Sequence, residues 1–431
     1  MLLSTRLRVG GAHGVSLVTT LASLLALMRA PAASAMRGRG NVTLTPPGLT
    51  SVVSALQLID SESYARRTVA NTFKRQDFNS EFFLGNRAVE FGKGPLMGVV
   101  AAHYADVAKA NKLPMDVPII FLNYKLSDDP LQLPETVLSL QEPERSDDYY
   151  NYSQGSASAK KHCYVDFANR VLGGGVFGRG MVQEEQMFFQ MPELLFFTKD
   201  KRLRTSPSRS RFGDGWVLDR HGGVLRMANV FATSVWGKDS YELCRSDTRA
   251  CAEVAAANGA QAYGPFDVFA VDAPAFGRNR QDSVYTEDDF DHLLQKIFAL
   301  FLAAKEAECD VLHSGPLGAG AFRGNANLVA LLQAVFADAL KVPLIYHGPD
   351  DHLGALRKLA AVKAGADSSD RLLPAVVDYL RECVWGHGDD ATSYFLLEAP
   401  ESDVESVLEA QSDVESLSPR SDSSTAIEEV D

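Results

Sequence analysis

The stretch Val165-Asp166-Phe167-Ala168-Asn169-Arg170-Val171-Leu172-Gly173-Gly174-Gly175, followed after seven residues by Gln183-Glu184-Glu185, decides how this chain is read. Tyr164 to Ala168 has the apolar texture of a buried strand, and Asp166 and Asn169 fall at its end. Three glycines come next. Glycine reaches positive φ and lets a backbone approach a ligand closely, and successive N–H groups can cradle an anion. Glu184 and Glu185 then stand where a helix over Glu184 to Leu195 is expected to begin. Acids beside an anion-cradling loop suit a phosphate-bearing sugar, because glycoside hydrolysis needs a proton donor for the leaving oxygen and stabilisation of an oxocarbenium-like transition state. No Gly-Lys-Ser/Thr follows, which excludes a Walker A loop, and the spacing is not that of a dinucleotide fingerprint.

Around this stretch the chain alternates between strand-like and helix-like segments. Asp267 to Asp272, Asp310 to Ser314 and Val342 to Tyr346 read as short buried strands. Asp288 to Lys305 and Asn325 to Leu340 read as long amphipathic helices, with further helices near 350–363 and 370–385. Such alternation implies an α/β fold, a mixed sheet flanked by helices. Upstream, residues 49–75 and 96–111 carry helical spacing and Val117 to Asn123 reads as a strand. Residues 127–160, polar and rich in Asp, Ser, Pro and Tyr, read as a long connection.

The ordered combination of VDFAN, Gly173 to Gly175, Gln183-Glu184-Glu185 and Met191-Pro192-Glu193-Leu194 resembles the signature of the poly(ADP-ribose) glycohydrolase family. Three further segments are similar to that family in the same order: Asp267 to Ala273, Leu317 to Phe322, and Ile345 to Gly348. The resemblance covers roughly 160–385. It implies a macrodomain-like mixed sheet with an N-terminal helical accessory region. It implies hydrolysis of ribose–ribose O-glycosidic bonds in poly(ADP-ribose), releasing ADP-ribose, with no cofactor and no metal. Alternatives on the same fold are a mono-ADP-ribosyl-protein hydrolase and a non-catalytic ADP-ribose-binding protein; the intact Gln183-Glu184-Glu185 argues against the last. Carried over by position, Glu185 would be the general acid, and Glu184 and Asp166 would hold ribose hydroxyls and shape the charge of the site. Gln183 and Asn169 would hydrogen-bond the ligand, and Gly173, Gly174 and Gly175 would approach ribose and diphosphate. Gly318, Gly320 and Phe322 would form a second loop against the ADP-ribose, and His347 would lie at the adenine site. The sequence departs from the family at Pro316, Leu317, Arg323 and His347, which stand where the family has Asn, Trp, Gly and Phe. Asn229 to Tyr241 is the nearest candidate for the Tyr-bearing segment that crosses the family's active site.

The expected organisation is a targeting-like or disordered extension over 1–45, a helical accessory region over 46–126, a catalytic core over 127–390 and a disordered acidic tail over 400–431. Residues 1–59 hold five arginines and no acid, whereas residues 401–431 hold ten acids and one arginine. The segment between them is also acidic, so no direct nucleic-acid binding is expected, and the partners are poly(ADP-ribose) or ADP-ribosylated proteins. The tail repeats SDVES at Ser402–Ser406 and Ser412–Ser416, too polar to bury a core. Val15 to Met28 is too short for a comfortable membrane span. Preceded by Arg6 and Arg8 and followed by Ala33-Ser34-Ala35, it fits a signal peptide, a mitochondrial transit peptide or the extension of a nucleo-cytoplasmic protein. The basic, Ser-rich stretch Thr198 to Arg211 reads as an exposed loop. Five scattered cysteines without a CxxC pair suggest neither a disulfide framework nor a zinc site, and a reducing compartment.

Overall fold

The computed structural model describes residues 94–126, 131–169, 182–197, 223–235, 259–272, 286–320 and 324–385. It also describes short pieces at 42–44, 56–58 and 72–73, and isolated positions near 172–176, 253–257 and 322. The elements in chain order are β1 (Val42–Leu44), β2 (Leu56–Leu58), β3 (Thr72–Phe73), α1 (Gly94–Lys109), β4 (Ile119–Leu126), β5 (Glu144–Ser146), α2 (Tyr152–Ala157), β6 (His162–Ala168) and α3 (Gln183–Gln190). They continue with β7 (Val224–Ala232), β8 (Tyr263–Asp272), α4 (Glu287–Glu306), β9 (Val311–Ser314), α5 (Ala326–Leu340), β10 (Leu344–His347), α6 (Gly354–Lys363) and α7 (Leu373–Trp385). The strands form one mixed sheet in the order β1-β2-β4-β7-β8-β6-β9-β10-β5, with β3 also pairing β4. From β8 through β6, β9 and β10 to β5 every pairing is parallel. From β8 through β7 and β4 to the far edge every pairing is antiparallel.

Helices cover both faces, and the two-residue period of the central strands assigns each side chain to a face. Cys163 and Val165 of β6, with Phe269 and Val271 of β8, pack with α4, α5, α6 and α7. Tyr164 of β6, with Val268 and Ala270 of β8, packs with α1, α3 and the turn at Pro192–Phe197. By the same alternation Asp166 belongs to the face that carries α3. Helix α4 starts in a capping box, Thr286 accepting from the Asp289 N–H and Asp289 accepting from the Thr286 N–H. The apolar residues expected to line it, from Phe290 to Phe301, are buried. Helix α5 is opened by Asn325, whose side chain accepts from the Leu328 N–H.

The α/β mixed sheet flanked by helices is the expected class, but local expectations upstream of β6 change. Residues 49–75 were expected to be helical; the described positions there are the strands β2 and β3. Both pair antiparallel with β4, so the edge of the sheet overrides the helical spacing of Val52, Leu56 and Ile59. Of the helical accessory region expected over 46–126, the described helix is α1. The connection expected over 127–160 contains β5 and α2, and β5 is the parallel edge strand beside β10. Of the candidate segment Asn229 to Tyr241, residues 229–232 end β7, a nine-residue strand in the antiparallel half that periodicity did not reveal, and 236–241 lie outside the described residues. The targeting-like segment before Val42, the basic stretch 198–211 and the acidic tail lie outside the described residues. No helix among the described residues is long and apolar enough to cross a membrane.

The cysteine reading is also corrected. Cys163 and Cys309 form a disulfide across a sequence separation of 146 residues. Cys163 sits in β6, and Cys309 lies two residues before the parallel neighbour β9, whose Leu312 is the register partner of Cys163. Strand pairing brings the two α-carbons to 6.0 Å. No spacing rule shows such a bond, because the chain crosses β7, β8 and α4 between its ends.

Candidate functional site

Beyond Tyr164 the pairing of β6 with β9 stops, and side chains meet the strand backbone instead. The Gln183 amide oxygen accepts from the Phe167 N–H at 2.9 Å, and its amide nitrogen donates to the Val165 carbonyl at 3.0 Å. The Tyr150 hydroxyl donates to the same carbonyl at 2.9 Å. Gln183 thus fastens the first residue of α3 to both flanks of Asp166. Its neighbour Glu184 fastens the loop: its two oxygens accept from the Asn169 N–H at 3.0 Å and the Gly173 N–H at 2.6 Å. Gly173 turns the chain at φ 83°, a left-handed value that a side chain resists. Glu185 accepts from the Val182 N–H at 2.7 Å, satisfying a donor at the start of its own helix.

Asp166, Glu184 and Glu185 are therefore brought together in the interior, at 0%, 2% and 3% exposure. Burial, together with the nearby Glu185 carboxyl, drives the Asp166 pKa well above the usual carboxylate range. Glu184 is pushed up to about 10, mainly by burial and next by Asp166, against the opposing effect of its two backbone donors. Both shifts favour the protonated form, which relieves the repulsion between adjacent carboxylates.

A carboxyl whose folded pKa is raised stabilises the fold fully below its unfolded pKa and loses that stability as pH rises towards the folded value. Neither Asp166 oxygen has a hydrogen-bond partner among the described residues, so an amide can replace the carboxyl without breaking a bond. Asp166→Asn is expected to melt higher than wild type at pH 8 by several degrees, about 1–2 kcal/mol, and to converge with it near pH 4. Thermal unfolding across that range checks this; parallel curves for the two proteins would show that Asp166 does not titrate between them.

Next to the carboxyls lies a cavity of about 240 Å³. Tyr149, Tyr150 and Tyr152 line it from the segment before β6, and Phe167 from β6 itself. Helix α3 and its cap contribute Val182, Gln183, Gln186, Met187 and Gln190. Pro316, Gly318, Gly320 and Phe322 come from the loop after β9, and His347 from the end of β10. Five of the expected residues, Gln183, Gly318, Gly320, Phe322 and His347, are thus gathered around one space. Glu184 and Glu185 lie outside the described lining, while their neighbours Val182, Gln183 and Gln186 form part of it. Asn169 and Gly173 are joined to the carboxyl cluster through Glu184; Gly174 and Gly175 lie outside the described residues.

Sequence reasoning missed the tyrosines. Their signal was the density of Tyr149-Tyr150-Asn151-Tyr152 within a segment read only as a connection. The chain positions them through α2, whose Asn151 cap accepts from the Gln154 N–H, and through mutual edge and tilted contacts of Tyr150, Tyr152 and Tyr164 at 4.8–6.3 Å.

The loop after β9 reaches the cavity by a close backbone approach at Gly315. A Cβ added there would lie 2.5 Å from the His347 carbonyl oxygen and 3.2 Å from the Phe167 ring. Gly315→Ala must move backbone, so it is expected to cost about 1–3 kcal/mol and to weaken whatever the cavity binds. Chemical denaturation measures the first effect, and an unchanged midpoint would disprove the constraint.

Residues 150–199 match a family model described as poly(ADP-ribose) glycohydrolase (PARG), macro domain fold. Among solved structures, the chain is similar to poly(ADP-ribose) glycohydrolase from Thermomonospora curvata, at 12% identity over 65% of this chain and 99% of that one, with a TM-score of 0.33. It is similar to the T. curvata protein bound to the inhibitor ADP-HPD at 13% identity, 64% and 99% coverage and a TM-score of 0.33. The Deinococcus radiodurans poly(ADP-ribose) glycohydrolase in complex with ADP-ribose matches at 15% identity, 51% and 84% coverage and a TM-score of 0.33. The matched segment contains β6, the described part of the glycine loop, α3 and the carboxyl cluster, set in a mixed sheet with helices on both faces. Over that segment, residues 150–199, the chain is similar to the macro domain fold of the poly(ADP-ribose) glycohydrolase family.

Proposed function

We propose that this protein hydrolyses the ribose–ribose O-glycosidic bonds of poly(ADP-ribose) and releases ADP-ribose. The observation that carries this reading is the buried cluster of Asp166, Glu184 and Glu185 beside an aromatic cavity, within the segment that matches the family. A glycosidic bond breaks when the leaving oxygen gains a proton while positive charge grows on the anomeric carbon. Glu185 is the proton donor in this reading. The bond from the anomeric carbon to the leaving ribose oxygen breaks as the Glu185 proton moves to that oxygen. Water then bonds to the anomeric carbon and returns a proton to Glu185.

Asp166 and Glu184, whose burial favours the protonated form, serve a different purpose. Glu184 organises the Asn169–Gly173 turn through its two backbone donors, which places the glycine loop against ribose and diphosphate. Asp166 offers a carboxyl proton that a ribose hydroxyl oxygen can accept. The ring-rich wall formed by Tyr150, Phe322 and His347 suits the adenine.

The experiment incubates the full chain with labelled poly(ADP-ribose) and, separately, with a mono-ADP-ribosylated protein. Polymer shortening with release of free ADP-ribose is the expected result. Intact polymer would reject the reading: removal of the single unit instead would assign a mono-ADP-ribosyl hydrolase, and binding of both substrates without turnover would assign an ADP-ribose-binding protein.

A further inference from the structure

Three imidazoles cross the parallel half of the sheet in a line. His162 Nδ1 lies 2.7 Å from His313 Nε2. His313 Nδ1 lies 2.9 Å from His347 Nε2. His347 Nδ1 lies 2.7 Å from the Asp148 carbonyl oxygen. The residues come from the start of β6, from β9 and from the end of β10, so only the strand order makes them neighbours. Ring centroids are 5.1 Å apart for the first pair and 5.2 Å for the second, with planes inclined by 30° and 37°. Those are edge-to-edge separations, as the short nitrogen–nitrogen distances require. The middle ring, His313, also has its face stacked on Tyr164, at 4.5 Å and 17°.

The last contact sets the direction of the whole chain. A carbonyl oxygen only accepts, so His347 must carry its proton on Nδ1. Neutral His347 then has a lone pair at Nε2, and His313 must donate to it from Nδ1. His313 Nε2 is left as an acceptor, and His162 must donate to it from Nδ1. Burial keeps the inner two rings neutral: His313 is lowered to about 2 by burial and by the flanking imidazoles, and His347 is lowered mainly by burial. The line ends on a carbonyl that cannot pass a proton on, so it positions a ring and does not deliver protons.

We infer that His162 and His313 are positioning residues that fix the tautomer and ring plane of His347, so that His347 offers the cavity an aromatic face and no free ring nitrogen. Tyr150 supports the same orientation, its ring edge-on to His347 at 4.8 Å and 84°. Gly315 supports it from the other side, since only a residue without a Cβ leaves room beside the His347 carbonyl. Resting on the function proposed above, the occupant of that face is the adenine of ADP-ribose. It is held by stacking alone, and discrimination among bases by their edges falls to other residues.

The test uses the full chain with nitrogen-15-labelled histidine, reading each ring's tautomer by two-bond proton–nitrogen correlation, and measures affinity for ADP-ribose and for ribose 5-phosphate. All three rings are expected in the Nδ1–H form without any ligand. His162→Ala is expected to leave His313 and His347 in that form, because direction is set from the Asp148 end. His313→Phe keeps the stack on Tyr164 but removes the donor to His347. It is expected to weaken ADP-ribose about fivefold or more while leaving ribose 5-phosphate within twofold. An Nε2–H form at His313 or His347 in wild type, or a tautomer change at either in His162→Ala, would overturn the inference. So would wild-type affinity for ADP-ribose in His313→Phe, or an equal loss for both ligands. Should wild type fail to bind ADP-ribose, the proposed function falls, and the tautomer pattern of the free protein still decides the role of the three histidines.

Discussion

Glu185→Gln is expected to lower kcat on poly(ADP-ribose) by about a thousandfold, the scale of losing a general acid. The substitution is conservative where it needs to be. Glu185 accepts from the Val182 N–H at 2.7 Å, and the glutamine retains an oxygen for that bond. Helix α3 should therefore start where it does now, and Gln183 and Glu184 should keep their hold on β6 and the glycine loop. What disappears is the proton. Affinity for ADP-ribose should then stay within about threefold of wild type, since the loss lies in the transition state. Single-turnover kinetics paired with calorimetric binding separates the two quantities. Wild-type turnover in the variant would remove Glu185 from the mechanism; a loss of binding equal to the loss of rate would make it a structural cap.

The second large effect is on stability. Closing a loop of 146 residues between Cys163 and Cys309 restricts the unfolded chain. The loop-entropy relation puts the contribution at about 5 kcal/mol. Cys163→Ala with Cys309→Ala is expected to lower the unfolding free energy by roughly that amount and the Tm by 10 °C or more. Reductant should lower the Tm of wild type by a similar margin and leave the double variant unmoved. If wild type melts identically with and without reductant, the bond contributes nothing. Cys163 lies three residues before Asp166 on β6, so this bond also anchors the strand that carries the buried carboxyl.

The comparison of these two effects shows where sequence is a sufficient guide. The carboxyl cluster is local: Asp166, Gly173, Glu184 and Glu185 lie within twenty residues, and one strand, one turn and one helix bring them together. Ordered spacing is enough to propose such a cluster, and Asp166, Gly173, Glu184 and Glu185 are all buried. The amphipathic helices α4 and α5 were legible for the same reason, since a helical period writes its buried face into the local sequence. Short edge strands are not legible in this way. Leu56–Leu58 and Thr72–Phe73 have a helix-like apolar spacing around them, and only pairing with β4 makes them strands.

By itself, then, the sequence determined the α/β class, the acid-bearing turn and the two Gly-rich segments, because each is coded by residues near one another. Tertiary structure alone decided the rest. It placed the tyrosines of 149–152 together with Phe322 and His347 around one cavity. It joined Cys163 to Cys309 across parallel neighbours and aligned His162, His313 and His347 from three strands. It also turned the polar atoms of Gln183 and Glu184 towards backbone. Strand order is the physical reason. The order β8-β6-β9-β10-β5 makes neighbours of residues as far apart as Glu144 and Ile345, and no local period records which strand a segment will lie beside.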